Sequence, residues 1–385
     1  MDFSFQWLLL GLPLAFALGW LASRLDLRQM KSEEQASPRA YFKGLNLLLN
    51  EQPDKAIDAF IEAVQADPDT SDLHFALGNL FRRRGEYERA IRVHQHLLAR
   101  GDLPRAERER AQYALAQDFL KAGLFDRAEE AFAALDGTAF ATDARLALLT
   151  LYERTRDWPA AIECARRLEQ AGAGSFAGRI AHYCCELAVE ADARGQAEEA
   201  QAALARAREA APQAARPLIL AGQRLARAGQ HAEALQTWRE LQAVQPAAFS
   251  LVADDYARSA QAAQEEAEAL AQLAQLYERA PSVDVLQAQD RLTPDATARR
   301  ARMLAHLQQQ PSLSAALGLL QERLNTERPL ELRELESLQQ AISTAAKPLQ
   351  RYRCAACGFE AQRYFWQCPG CQGWETYPPR RLEDL

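Results

Sequence analysis

One alignment constrains the fold of this chain more than any other feature. Six stretches each end in an alanine and read alike: EQPDKA to Ala56, GEYERA to Ala90, GLFDRA to Ala128, RDWPAA to Ala161, GQAEEA to Ala200 and GQHAEA to Ala234. Successive alanines are 34, 38, 33, 39 and 34 residues apart. Gly85, Gly123, Gly195 and Gly229 stand five residues before the alanine, where a positive φ ends a helix at no steric cost. Twelve residues before it stand Gly44, Gly78, Ala116, Leu149, Ala188 and Gly222, all small except Leu149. Four residues after it come Phe60, His94, Phe132, Ala165, Leu204 and Trp238. Pro68, Pro212 and Pro246 follow at twelve residues and stop the second helix. Small residues opposite large ones, at these offsets, describe two antiparallel helices in close contact.

A period near 34 residues is that of tetratricopeptide repeats. Composition agrees with helix: alanine is abundant and aromatics make up only 8% of the 385 residues, which disfavours a β-sandwich or barrel. With 48% apolar residues the chain buries a core and is not disordered. Beyond Pro246 the pattern decays, yet residues 249–280, 295–310, 312–325 and 329–346 still read as helices, making two or three further degenerate pairs. Stacked pairs form a superhelix whose concave surface suits a peptide or protein. Cys164, Cys184 and Cys185 read as small apolar core residues of these helices.

The first 23 residues have a different character. Phe3 to Ala22 carries no charge, and twenty residues of helix match the roughly 30 Å hydrocarbon core of a bilayer. Trp7 and Trp20 lie toward its ends, where indole rings favour the interface. A cleaved signal peptide is disfavoured: no Lys or Arg precedes the apolar run, and no small-x-small site follows it. Asp2 precedes the span, whereas Arg24, Arg28 and Lys31 follow it, so the N-terminus faces away from the cytoplasm and the bulk of the chain lies in it. The expected organisation is a transmembrane anchor (1–23), a juxtamembrane connector (24–36), a repeat array (37–346) and a metal-binding domain (347–385). The expected fold class is all-α: a superhelical solenoid with one transmembrane helix and a small four-cysteine terminus.

That terminus carries the most specific chemistry. Cys354 and Cys357 form one CxxC pair, Cys368 and Cys371 another, with ten residues between the pairs. Each turn directs two thiolates at one ion, and two turns complete a tetrahedral four-sulfur site. Zinc and iron both accept four thiolates, so ligand type leaves one metal ion of either kind. With all positions filled by protein the site is structural, or an electron carrier, and not hydrolytic. A reducing compartment argues against disulfides. A domain this short needs the staple, with Tyr352, Phe359, Tyr364, Phe365, Trp366 and Trp374 as its small core. The connection at Pro348 is too short for a flexible tether, so the domain is expected to dock on the C-terminal repeats through Trp374 and Tyr377.

No catalytic pattern accompanies these parts. GxSxG, HExxH and GxxxxGK[ST] are missing, and the glycine-rich run Gly172 to Gly178 joins two repeats instead of following a strand. His94 and His96 lie two apart, on different helix faces. The chain is therefore read as having no catalytic residues. Nucleic acid is disfavoured by a net charge of −7. Arg351, Arg353, Arg363, Arg380 and Arg381 interleave with aromatics in the tail, but Glu360, Glu375, Glu383 and Asp384 nearly cancel them.

Anchor, repeats and cysteine terminus in this order resemble the lipopolysaccharide assembly protein B family. The telling stretches are GNLFRRRGEYERAIRVHQHLL (78–98), IAHYCCELA (180–188) and the cysteine-bearing segment 352–374. The resemblance implies a non-enzymatic adaptor of the bacterial inner membrane that regulates lipopolysaccharide synthesis. It implies that the protein promotes degradation of the lipid A pathway deacetylase LpxC by an FtsH-type membrane protease. It also implies an inner-membrane partner that senses lipopolysaccharide, and a rubredoxin-like domain with iron on Cys354, Cys357, Cys368 and Cys371. The competing expectation is a rubredoxin-like electron-transfer protein on a protein-binding scaffold.

Overall fold

The computed structural model describes residues 53–66, 70–309, 312–326 and 332–384, with Lys43, Asn46 and Leu47 before them. The expected anchor, the connector and most of the first helix of the array, with Gly44 and its small-residue position, lie outside the described residues. Among the described residues no helix is long and apolar enough to cross a membrane. The chain divides into two compact units, Met1–Asp157 and Trp158–Leu385.

The first unit holds α1 (Pro53–Ala66), α2 (Ser71–Arg83), α3 (Tyr87–Leu98), α4 (Arg105–Ala122), α5 (Phe125–Ala133) and α6 (Ala141–Thr155). Its repeat alanines Ala56, Ala90 and Ala128 have no exposed surface, as a helix pair in close contact requires. Phe60, His94 and Phe132, one helical turn on, are buried beside them. At Gly78 the packing leaves no room for a side chain: a Cβ there would lie 2.5 Å from the His94 ring. His94 is itself held by Asp118, whose carboxylate accepts from His94 Nδ1 at 2.5 Å and from Arg82 Nη1 at 2.7 Å. Three polar residues on three helices thus pair inside the stack through Asp118, while the buried His94 Nε2 has no hydrogen-bond partner among the described residues.

The second unit continues with α7 (Trp158–Gln170), α8 (Ala177–Ala193), α9 (Ala197–Ala210), α10 (Ala215–Arg227) and α11 (His231–Val244). A 3-10 turn (Pro246–Val252) leads to α12 (Ala253–Ala263), α13 (Glu266–Arg279), α14 (Val283–Leu292), α15 (Ala296–Gln309), α16 (Leu313–Thr326) and α17 (Leu332–Leu349). The chain ends in a two-stranded antiparallel ribbon, β1 (Tyr352–Arg353) and β2 (Glu360–Ala361), and a final 3-10 turn (Leu382–Asp384). One core runs from Ala215 to Leu292, centred on Trp238, Phe249 and Tyr256.

The turn between paired helices is built alike each time. Glu86, Leu124, Gln196 and Gln230 each donate their N–H to the carbonyl five residues back, at 2.9 Å, across a glycine with φ of 75–80°. This six-to-one bond around a left-handed residue closes the helix end. Asp157 and Glu265 make the same bond at the same distance, but the left-handed residues there are Arg156 (φ 60°) and Gln264 (φ 59°).

The second of these uncovers a repeat that the glycine pattern misses. Ala269, 35 residues after Ala234, is fully buried. Ala257 stands twelve before it, Leu273 four after and Pro281 twelve after, the first two also buried. The stretch 249–280, read as continuous helix, is a 3-10 turn and two helices broken at Gln264. A further helix, Val283–Leu292, falls in the interval left between expected helices, capped by Ser282 Oγ accepting from Val285 N–H at 3.2 Å. Pro348 does not end the last helix. It lies in the final turn, where little of the hydrogen-bond ladder remains to lose, and Gln350 N–H still reaches Ala346 O at 3.1 Å.

Candidate metal centre

Two short loops built on the same plan bring the four cysteines together. Cys354 N–H donates to Phe359 O, and Gly358 N–H returns to Cys354 O, both at 2.9 Å. Cys368 N–H donates to Gly373 O, and Gln372 N–H returns to Cys368 O, both at 2.8 Å. The turn residues Gly358 (φ 77°) and Gln372 (φ 60°) are both left-handed, so the second loop does without the glycine that eases the first. Gly370 serves a different need: a Cβ there would come within 3.3 Å of Phe359 and 3.4 Å of Cys357 Sγ.

The four Sγ atoms lie within 4.8 Å of one another. Cys354 and Cys371 are 3.7 Å apart, Cys357 and Cys368 3.6 Å; a tetrahedral ion with metal–sulfur bonds of about 2.3 Å sets its ligands about 3.8 Å apart. The residues therefore fit one four-thiolate ion, and the fit does not separate iron from zinc. Cys354 and Cys368 are buried, whereas Cys357 and Cys371 are exposed.

The surroundings favour thiolate. Burial works against ionisation of Cys354, but the Thr376 hydroxyl and the N–H groups of Cys357 and Ala356 override it and hold the thiol down to about 6. The N–H groups of Cys371 and Gly370, with the Cys357 thiol and the Tyr377 hydroxyl, likewise lower Cys368 against its burial. At Cys357 the Phe359 N–H is outweighed by burial and by the neighbouring thiols, which push it up to about 12. Four thiols at this spacing do not all ionise by themselves, and a bound cation lifts that restriction. Tyr352, Cys354, Cys368 and Tyr377 make the small core, with Tyr364 and Phe365 against it.

The domain does not hang free. Trp374 stacks on His182 of α8 (ring centres 4.7 Å apart, 19° between planes) and meets Tyr183 and Trp158 edge-on at 5.8 and 6.5 Å. Trp366 lies 5.5 Å from His182, and the Arg216 guanidinium sits 5.7 Å over its ring. His182 Nε2 donates to Glu375 Oε1 at 3.0 Å, which holds the Glu375 carboxyl below its ordinary range. Farther along, Ser250 Oγ donates to Pro379 O at 2.9 Å, Arg381 pairs with Asp284 at 2.9 Å, and Ser314 Oγ donates to Glu383 at 2.8 Å.

All four predicted ligands come together, and docking on the C-terminal helices and through Trp374 occurs as expected, with further contacts elsewhere. Trp374 makes the contact; Tyr377 turns inward instead, its hydroxyl 3.3 Å from Phe359 O. The domain reaches back beyond the C-terminal repeats to α7, α8 and α10. His182, Arg216 and Thr376 were not singled out from the sequence, and Trp366, expected in the domain's own core, faces the helices instead. For His182 and Arg216 a signal existed: each stands six residues before the small position of its repeat, at Ala188 and Gly222. Two of the tail arginines are paired within the chain, Arg353 with Glu360 at 2.7 Å and Arg381 with Asp284.

Known proteins share both halves of this arrangement. The rubredoxin metal binding domain family matches residues 352–379, and the tetratricopeptide repeat family matches residues 43–102 and 113–176. Over 388 residues the chain is 33% identical to lipopolysaccharide assembly protein B of Escherichia coli (strain K12), spanning 97% of this chain and 98% of that protein. The chain belongs to the lipopolysaccharide assembly protein B family. A second member, lipopolysaccharide assembly protein B of Haemophilus influenzae, is 27% identical over 403 residues, with 97% of each chain covered. Among solved structures, a tetratricopeptide repeat protein from Parabacteroides merdae is similar with a TM-score of 0.35 and 13% identity, over 67% of this chain and 99% of that one.

Proposed function

We propose that this family member is a non-enzymatic adaptor of the bacterial inner membrane that regulates lipopolysaccharide synthesis. In this reading it hands the lipid A pathway deacetylase LpxC to an FtsH-type membrane protease. The apolar segment 3–22 tethers it, N-terminus in the periplasm and repeats in the cytoplasm, beside inner-membrane lipopolysaccharide-sensing or assembly proteins. The observation that carries the reading is the likeness to proteins named for lipopolysaccharide assembly, which covers 97% of this chain. The helical array supports it as well, because stacked helix pairs present an extended protein-binding surface.

The experiment is a turnover measurement in cells. In a strain lacking its own copy, expression of this chain should shorten the deacetylase's half-life after protein synthesis is stopped, and loss of the protease should abolish the effect. An unchanged half-life with the protein present at normal level would rule the reading out. The electron-carrier alternative draws support from the exposure of Cys357 and Cys371. A visible absorption that bleaches on reduction, together with normal deacetylase turnover, would favour it.

A further inference from the structure

Between the metal ligands and the helix array runs one four-residue strap, Trp374 to Tyr377, whose side chains divide between the two. Trp374 and Glu375 grip α8, through the stacked ring and the hydrogen bond to His182 described above. Thr376 and Tyr377 face the sulfurs: Thr376 Oγ lies 3.2 Å from Cys354 Sγ, and the Tyr377 hydroxyl 3.8 Å from Cys368 Sγ. The backbone is fixed on both sides too. Glu375 N–H donates to Trp366 O, and Ala355 N–H to Thr376 O, each at 2.8 Å. The division of side chains is made at Glu375, a non-glycine residue in the left-handed region (φ 54°). Such a conformation costs on the order of 1 kcal/mol and persists where its surroundings over-determine it.

We propose that this strap couples metal retention to docking, with His182 acting as a positioning residue for the metal site through Glu375 and Thr376. A metal-bound thiolate only accepts hydrogen bonds. The Thr376 hydroxyl, which also lies 3.4 Å from Gly373 O, therefore turns its proton to Cys354 when the ion is held. That fixes the strap, and the strap fixes Trp374 and Glu375 against α8. The linkage is reciprocal: whatever secures the strap on α8 slows loss of the ion, and loss of the ion loosens the strap. The coupling does not depend on what the adaptor delivers. It makes the repeat face at His182 report whether the metal is present.

The test uses the full chain loaded with cobalt(II), which gives a thiolate-to-metal absorption band. Release to excess chelator and the position of the band are both followed. Thr376→Val should shift the band and speed release about tenfold, the scale of outer-shell changes at metal sites, and Thr376→Ser should restore both. His182→Ala, remote from the ligands, should also speed release. Glu375→Ala, at a half-exposed side chain, should do the same without a risk to folding. The His182→Ala/Thr376→Val double variant should release the ion less than the product of the single effects predicts, since both cut one path. Release at the parent rate from His182→Ala and Glu375→Ala, with helicity unchanged, overturns the proposal. So does a Thr376→Val chain whose band and release match the parent.

Discussion

At the residue scale the array depends on a few positions where two helices leave no slack. Gly78 faces the ring of His94, and Gly222 faces the indole of Trp238 at even closer range. Alanine at either position overfills a packed contact, so Gly78→Ala and Gly222→Ala should each cost about 1–3 kcal/mol, read as a lower urea midpoint with little change in slope. Asp118 is fully buried and holds both His94 and Arg82. Asp118→Ala strands those partners and should cost about 3–5 kcal/mol, whereas an apolar replacement of the whole trio should cost less. Asp284 has the opposite character. Burial raises its carboxyl to about 6, although Arg381 beside it works the other way, and Glu383 and Asp384 add to the rise. Its folded-state value lies above the unfolded value of about 3.9, so the native state binds the proton more tightly. The stability this supplies is fully present below about pH 4 and is lost as pH climbs through about 6. Asp384, raised by its own burial, acts in the same direction. Asp284→Asn should flatten the fall in stability between pH 4 and pH 7 in denaturant titrations. The small positions were legible in the sequence because the repeat marks them. The Asp118 trio was not, since nothing in the repeat offsets joins residues 82, 94 and 118.

At the element scale the repeat turns show what a residue pattern can and cannot reveal. Four turns use glycine and were readable; Arg156 and Gln264 take the same left-handed conformation without it. Gln264 hid the repeat around Ala269, although its alanine, leucine and proline stand at the usual offsets. The turn is held by its six-to-one hydrogen bond and by the packing of both helices, and glycine only lowers its cost. The cysteine loops lay at the other extreme, because their chemistry is local: two residues of spacing decide where two sulfurs point. What they dock against was not legible, since His182 and Glu375 meet across 193 residues. Separate outcomes follow for the two parts of the tail. Cys354→Ser should leave the helices intact but unfold residues 350–377, because ion binding supplies the folding free energy of so short a segment. Trp374→Ala should still fold around the ion, though releasing it faster, and should weaken docking by about 2–3 kcal/mol, from lost ring burial and stacking. Limited proteolysis distinguishes them: the first exposes the whole tail to cleavage, the second mainly the junction at Leu349–Gln350.

At the scale of the whole molecule, the metal-stapled domain is fastened onto the helices of the second unit. The chain's charge, −7 overall, and the intrachain pairing of two of the tail's arginines suit a protein partner better than a nucleic acid. The proposed adaptor would work by proximity, raising the local concentration of a client beside a protease without touching the chemistry. The tail packs on α8 and α10, so loss of the metal domain should end delivery even while the helices stay folded. The most direct measurement is reconstituted proteolysis. The purified FtsH-type protease is placed in lipid vesicles with the lipid A deacetylase, and degradation is timed with and without this protein. The full chain should accelerate loss of the deacetylase, and the Cys354→Ser chain, bound to the same vesicles, should not. Degradation at one rate with no added protein, the parent chain and the variant would contradict the account.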